Sequence, residues 1–295
     1  MLANRLTKLW SRRAPLPQDV EEAIARLQQL GERQPELQAL AATNAALLKA
    51  MYAHDLPLPH LDLGPAHAQA KREGGVPLLR GEPIVFEAAA LRDQFVRLCG
   101  VMDDQGNQFA AALGRAAKAG AFPVAELAVE VIAGDPQKVV TRAADLDLDA
   151  GLAATLLRLT LFPILEQLTS QVKPLIDSAT WRRGYCPVCG SWPMLGEYRG
   201  LELTRFLRCG LCTAEWEIER LVCVFCDNRV HQDLINLTVA GEGTKERAVA
   251  CERCHCYIKQ ISTLAPIPPA QLLVADLATL HLDLVALERT YAPPH

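Results

Sequence analysis

Apolar residues recur three and four positions apart over much of the first 180 residues, which is the period of an amphipathic helix. Val20, Ile24, Leu27 and Leu30 share one helical face, and Asp19 followed by Glu22 has the form of a capping box. Gly31 and Pro35 interrupt the pattern. A second helix is expected from Glu36 to about His54, with Leu37, Leu40, Leu47, Leu48 and Met51 on its apolar side. The stretch DLPLPHLDLGPAHAQAKREGGVP, residues 55–77, is rich in Pro and Gly and reads as a long loop. Helical periodicity resumes over about 85–101, 104–119, 123–133 and 150–172, with AGDP at 133–136 as a turn. Pro163 is expected to kink or divide the last of these helices. The outline is a helical bundle of about five or six helices.

The pattern changes near Thr180. Short runs of β-formers (MLGEYR, LELTRFLR, EWEIERLV, LINLTV, RAVA and YIKQIS) follow one another with partial alternation. Arg199, Arg205, Arg208 and Arg220 alternate with Glu197, Glu202, Glu217 and Glu219, the pattern of solvated strand faces. APIPPA, residues 265–270, is a linker, and QLLVADLATLHLDLVALERT reads as one final helix with Pro269 in its first turn. Its Leu273, Leu277, Leu280, Leu284 and Leu287 form a short heptad-like seam. The seam is expected to pack back onto the chain's own helices; it also suits self-association as a homodimer.

Half of the 295 residues are hydrophobic, enough for a substantial core, and the net charge of −4 with pI near 6.0 excludes a strongly basic, nucleic-acid-type balance. Residues 181–264 hold 11 Lys+Arg and 10 Asp+Glu, a balance of +1. A nucleic-acid-binding zinc ribbon, suggested by Arg182 and Arg183 in TWRRGY, therefore stays the alternative reading and not the first. The N-terminal MLANRLTKLWSRRAPLPQ has positive residues with no apolar run behind them and does not read as a signal peptide. No uninterrupted apolar stretch approaches the ~20 residues that span a bilayer. The expectation is a cytoplasmic protein without membrane insertion.

The chemistry lies in the cysteines. Of ten, Cys99 stands alone on an apolar helical face and reads as core, while nine fall between residues 186 and 256. Eight of these form C-x-x-C pairs: Cys186/Cys189, Cys209/Cys212, Cys223/Cys226 and Cys251/Cys254. A C-x-x-C turn presents two thiolates as one edge of a tetrahedron, and two such turns complete it. Repetition favours metal over disulfides, and no βαβ context supports a thioredoxin-type pair. The spacers of 19 residues between Cys189 and Cys209 and 24 between Cys226 and Cys251 each suit a hairpin, whereas the 10 between Cys212 and Cys223 suit one strand. First with second and third with fourth is the expected pairing, with an interleaved cross-brace as the alternative. Four thiolates suit iron as well as zinc, and YCPVCG has the knuckle form of rubredoxins and of zinc ribbons. Gly190 in it is expected to let backbone N–H groups approach sulfur. Cys256 reads as a small, partly buried thiol or a spare ligand, and His255 as a surface residue. His54, His60 and His67 lack ligand spacing and read as solvated.

The fold class is therefore α+β. A helical domain (1–180) precedes a first four-cysteine ribbon (181–222), a second (223–264), and a linker with a C-terminal helix (265–295). Both ribbons have the rubredoxin-like or zinc-ribbon-like form. No G-x-G-x-x-G after a strand, P-loop or H-E-x-x-H is present, and a metal closed by four thiolates offers no open position for substrate. An enzyme is not expected.

GYCPVCGSWPMLGEYRG, RFLRCGLCTAEWEIERLVCVFCDN and ACERCHCYIK resemble, in order and spacing, the cysteine region of FdhE, the bacterial formate dehydrogenase accessory proteins. The resemblance covers residues 181–264 and implies what the spacings do not. It implies a cytoplasmic assembly factor that binds the catalytic subunit of formate dehydrogenase before export. It also implies two mononuclear, rubredoxin-like iron sites, with zinc as the alternative, and self-association. The metal role then falls on Cys186, Cys189, Cys209, Cys212, Cys223, Cys226, Cys251 and Cys254, and no catalytic residue is implied.

Overall fold

The computed structural model describes residues 15–177, 180–239 and 245–294. Among these residues eight α-helices precede the sheet: α1 (Gln18–Arg33), α2 (Gln38–Met51), α3 (Pro65–Glu73), α4 (Ala88–Asp104), α5 (Ala110–Lys118), α6 (Val124–Ala133), α7 (Gln137–Ala144) and α8 (Ala150–Val172). Six strands follow: β1 (Pro193–Arg199), β2 (Thr204–Cys209), β3 (Glu215–Glu217), β4 (Leu234–Leu237), β5 (Glu246–Cys251) and β6 (Tyr257–Thr263). Helices α9 (Gln271–Ala278) and α10 (Leu280–Glu288) close the chain. The α+β class is as expected. Contacts gather into two units, one of residues up to 59, 85–128 and 136–164, the other of 60–84, 129–135 and 165 onward.

In the first unit α1 buries Val20, Ala23, Leu27 and Gly31 along one stripe. Gly31 permits close approach to α2, since a Cβ there would lie 3.2 Å from the Gln38 Cα. The Asp19/Glu22 capping box does not form: α1 begins directly after Pro17 without a side-chain cap. Glu87 does cap α4, accepting from the Ala89 and Ala90 amides at 3.1 and 2.6 Å. On α4 the buried Gln94 donates to the carbonyls of Ala50 and Met51 in the last turn of α2, where full helical bonding ends. Phe95 stacks on Phe122, and Cys99 is buried against Gly114, its thiol pushed up to about 12 by burial.

Two helices depart from the sequence pattern. The 55–77 loop contains α3, which starts with Pro65 in its first turn and buries little besides Ala68 and the Lys71 stem. Its alanines carry no apolar stripe to read. Helix α7 lies between the AGDP turn and α8, where no helix is expected, and buries only Val139 and Ala143. Pro163 does not divide α8, which is continuous over 23 residues. One missing N–H is tolerated there because Leu161, Phe162, Ile164 and Leu165 are all buried. With its 3₁₀ extension α8 is long and apolar enough to cross a membrane, but 61% of its most apolar window is buried inside the protein, as in a core helix.

The second unit is built on one six-stranded sheet in the order β3-β2-β1-β6-β5-β4. Each cysteine ribbon supplies three strands: β1–β3 in the first, β4–β6 in the second. Neighbours are antiparallel except β1 and β6, which join the ribbons in parallel register from Leu195/Lys259 to Arg199/Thr263. Of the alternating charges, Glu202, Glu219 and Arg220 are exposed as expected, but others are not solvated. Glu197, Arg205 and Arg208 are buried. Glu197 accepts from Arg208 at 2.5 Å, from Arg199 at 2.7 Å and from the Ile267 amide at 3.2 Å, so the 265–270 linker covers this face. Arg205 donates to the carbonyls of Glu219, Arg220 and Val222. Period-two alternation of charge cannot reveal that a later segment seals the face.

The final helix is broken at Thr279, whose hydroxyl donates to the Ala275 carbonyl at 2.8 Å. Helix α10 is thereby rotated, so that Leu282 and Ala286, not the heptad leucines, join Leu237, Ala248, Ala250 and Tyr257 in a core against the sheet. Leu284 and Leu287 are exposed, so the seam does not pack back on the helices.

Candidate metal centres

All four C-x-x-C turns share one construction. The first cysteine's amide donates to the carbonyl five residues on: Cys186 to Ser191, Cys209 to Ala214, Cys223 to Asn228, Cys251 to Cys256. The residue four positions on has positive φ in each: Gly190 (84°), Thr213 (63°), Asp227 (55°) and His255 (54°). In three turns that residue's amide closes back onto the first cysteine's carbonyl, at 3.0, 3.0 and 2.8 Å for Gly190, Asp227 and His255. This left-handed residue sends the chain back beside the turn and holds both sulfurs on one side.

Gly190 itself does not bring its N–H to sulfur; that bond goes to the Cys186 carbonyl. Donors to sulfur include Val188 N to Cys186, Leu211 N and Cys212 N to Cys209, each 3.4 Å, and the Asn228 amide to Cys251 at 3.7 Å. Gly190 answers a second need: a Cβ there would meet Arg80 Nη2 at 2.7 Å and Pro77 Cγ at 2.9 Å.

The turns meet first with second and third with fourth. Cys186, Cys189, Cys209 and Cys212 form one tetrad and Cys223, Cys226, Cys251 and Cys254 the other, with the four sulfurs of each within 4.8 Å of one another. Nearest sulfurs are 3.5 Å (Cys186–Cys212), 3.4 Å (Cys189–Cys209), 3.6 Å (Cys223–Cys254) and 3.8 Å (Cys226–Cys251) apart. Metal–sulfur bonds of ~2.3 Å give a tetrahedral edge of roughly 3.8 Å. The cysteines are free thiols, not disulfides. Both tetrads thus fit a tetrahedral thiophilic ion in donor type, number and spacing.

The electrostatics call for a cation. Burial pushes the Cys186 and Cys212 thiols well above their usual range. Hydrogen bonds from Cys186, Cys209 and Cys212 hold Cys189 well below it. In the second tetrad burial raises Cys223 to about 11 and raises Cys254 as well. At Cys251 burial acts upward too, but the amides of Cys254 and Arg253 and the Asn228 side chain outweigh it. Four thiols sharing protons in this way become four thiolates only around a metal charge.

The two centres differ in exposure. The first is buried at all four cysteines; in the second, Cys226 and Cys254 are only half-buried. Around the first, Leu78 N and Leu79 N donate to the Pro187 and Val188 carbonyls at 2.8 and 2.9 Å, and Thr169 on α8 donates to the Cys212 carbonyl at 2.8 Å. No local motif marks these residues; they are distant in the chain from the turns they hold, so a single sequence gives no signal for them. Cys256 lies outside both tetrads, its backbone bridged to Ala292, and His255 is exposed and stacked on Tyr291. His67 is 59% exposed yet bonds Glu82 at 3.0 Å.

Fold and site define a protein with a helical N-terminal half and a sheet that carries two tetracysteine centres. Residues 185–220 match the family model described as FdhE, central domain. The chain is 40% identical over 109 residues to an FdhE homolog of Stutzerimonas stutzeri, covering 36% of this chain and 35% of that one. It is 32% identical over 154 residues to an FdhE homolog of Aquifex aeolicus, covering 49% and 52%. The matched regions thus span about a third to a half of these relatives. The crystal structure of the FdhE protein from Pseudomonas aeruginosa has the same fold, with a TM-score of 0.63 over 95% of both chains at 22% identity. The cysteine region is thus similar to that of FdhE proteins, and the fold of the chain is that of the FdhE crystal structure.

Proposed function

We propose that this protein is a cytoplasmic accessory factor for formate dehydrogenase that binds the catalytic subunit before export. Cys186, Cys189, Cys209 and Cys212 hold one metal ion, and Cys223, Cys226, Cys251 and Cys254 hold a second. The observation that carries the reading is the pair of closed sulfur tetrads in an FdhE-type sequence context. Such centres contribute ~10 kcal/mol or more to folding, so they fix the shape of the sheet surface offered to a client. Closed tetrathiolate sites leave no coordination position for a substrate, which supports an accessory role over catalysis.

Iron is the proposed occupant of both centres, with zinc the alternative. Iron there would supply one-electron chemistry. The half-buried Cys226 and Cys254 favour the second centre for any exchange of electrons with a partner, and the sealed first centre for a structural role. The test is anaerobic purification with elemental analysis and a visible spectrum, followed by capture of the formate dehydrogenase catalytic subunit on the tagged protein. Two irons with thiolate charge-transfer bands and recovery of that subunit support the proposal. Two zincs would remove the redox role, and failure to recover the subunit from cells that make it would remove the assembly role.

A further inference from the structure

Beside the second centre lies a hollow of about 340 Å³ that the metal chemistry does not use. One wall is the Cys223–Asp227 turn. From Phe225 of that turn an aromatic ladder runs through Trp192 to Tyr185, the rings meeting edge to face with centroids 5.5 and 6.2 Å apart. Trp192 is 37% exposed at the mouth, a large apolar surface for a soluble face. Arg182 and Arg183 stand along the rim, both exposed, and neither pairs with a carboxylate among the described residues.

These arginines are held in place. Gly184 lies so close to the second centre's turn that a Cβ would sit 1.6 Å from the Val224 carbonyl oxygen. The indoles of Trp216 and Trp181 donate to the carbonyls of Arg183 and Tyr185 at 3.0 and 2.8 Å. The Arg183 guanidinium lies against Gly75 and over the Tyr185 ring, and the Tyr185 hydroxyl donates to the Gly75 carbonyl at 2.7 Å. Beyond the arginine pair a second hollow, of about 570 Å³, opens between α3 and residues 177 and 180–183. The pair therefore stands between two open depressions, one aromatic and one polar.

We propose that this surface docks an extended acidic segment of a partner protein, in which carboxylates neighbour apolar side chains. The carboxylates pair with the planar guanidiniums of Arg182 and Arg183, whose fork matches them. The apolar side chains pack on Trp192 and Phe225. A nucleic-acid backbone fits less well. The aromatic hollow sets Arg182, Arg183 and Arg229 against Glu219 and Asp227, and Arg229 is already paired with both acids. A single net positive charge suits isolated carboxylates and holds a run of phosphates poorly. The inference goes beyond the accessory role, because it rests on the chemistry of the hollow and holds for whichever protein carries the segment.

The test pans a displayed library of random short peptides against the full-length, metal-loaded protein, then measures one selected peptide by fluorescence anisotropy. Enriched sequences are expected to carry Asp or Glu beside aromatic or aliphatic residues. Their affinity should fall by roughly tenfold or more in the R182E/R183E double variant, the loss expected for charge-assisted hydrogen bonds. Both side chains are exposed, so metal content and circular dichroism should stay unchanged. The conservative R182K/R183K variant should retain part of the affinity. No enrichment, enrichment without acidic residues, affinity unchanged in R182E/R183E, or displacement by a single-stranded oligonucleotide would each overturn the proposal. None of these outcomes bears on capture of the formate dehydrogenase subunit, which is measured separately.

Discussion

The Lys71 ammonium donates to the Leu78 carbonyl at 2.8 Å, and that bond ties helix α3 to the segment whose amides grip the first cysteine turn. Lys71 also donates to the Arg80 carbonyl at 2.7 Å and pairs with Glu82; its side chain is 8% exposed. Lys71→Met keeps the stem and removes the charge, leaving the buried Glu82 carboxylate with His67 alone and two carbonyls without their Lys71 donor. The expected loss is about 3 kcal/mol, read as a lower Tm, together with faster release of metal from the first centre. An unchanged Tm would show that the segment is held by other contacts.

The same pair sets a pH dependence. Burial works against ionisation of Glu82, but Lys71 and His67 outweigh it and hold the carboxyl below its usual value of 4.5. A depressed folded-state value means that the stabilisation is fully present above 4.5 and is lost as pH falls through the lower folded value. Wild-type Tm should therefore decline across that acid window more steeply than the Tm of Glu82→Gln, whose side chain does not titrate. Parallel profiles would remove Glu82 from the account.

The tetrads were legible because each turn carries its chemistry within four residues and because hairpin-length spacers choose the partners. Lys71, Leu78, Thr169 and Gly184 were not legible, since each acts through a backbone carbonyl or amide outside its own motif. The buried Glu197–Arg208 pair misread as solvated for a related reason: Ile267, in the linker that seals it, lies 59 residues beyond Arg208. The heptad seam failed differently. Its leucine spacing is real, but the break at Thr279 rotates the second half away from the first, and periodicity cannot show where a helix stops when no Gly or Pro marks the place.

The exposure difference between the centres predicts an order of metal loss. A chelator in excess should draw out the ion of the second centre first, several-fold or more ahead of the first, giving two kinetic phases at neutral pH. Cys226→Ser should remove the fast phase and leave one metal with most of the fold, whereas Cys189→Ser, in the fully buried tetrad, should cost much of the cooperative unfolding transition as well. A single phase, or loss of the slow phase in Cys226→Ser, would contradict the assignment.

Helix α10 separates the two readings of its leucines. Leu282 is 1% exposed in the core against the sheet, while Leu284 is 57% exposed. Leu282→Ala should lose about 2–4 kcal/mol. Leu284→Lys should change monomer stability by less than about 0.5 kcal/mol. Denaturant midpoints with unchanged slopes would check both. Equal and large losses would restore the heptad packing that the break at Thr279 removes.

His255 decides between ligand and turn. It sits directly after Cys254, exposed, at φ 54°, in the position that Gly190 occupies in the first turn. If its part is conformational, glycine is the replacement that fits. His255→Gly should retain both metals and change stability by no more than about 1 kcal/mol, because relief of left-handed strain offsets the lost stacking on Tyr291. His255→Val should be worse by roughly 2 kcal/mol, since a β-branched residue at positive φ is strained whatever its surroundings. A ligand would give a different result by metal content, with both variants losing one ion. Metal analysis of the two purified variants, beside their thermal unfolding, settles which holds.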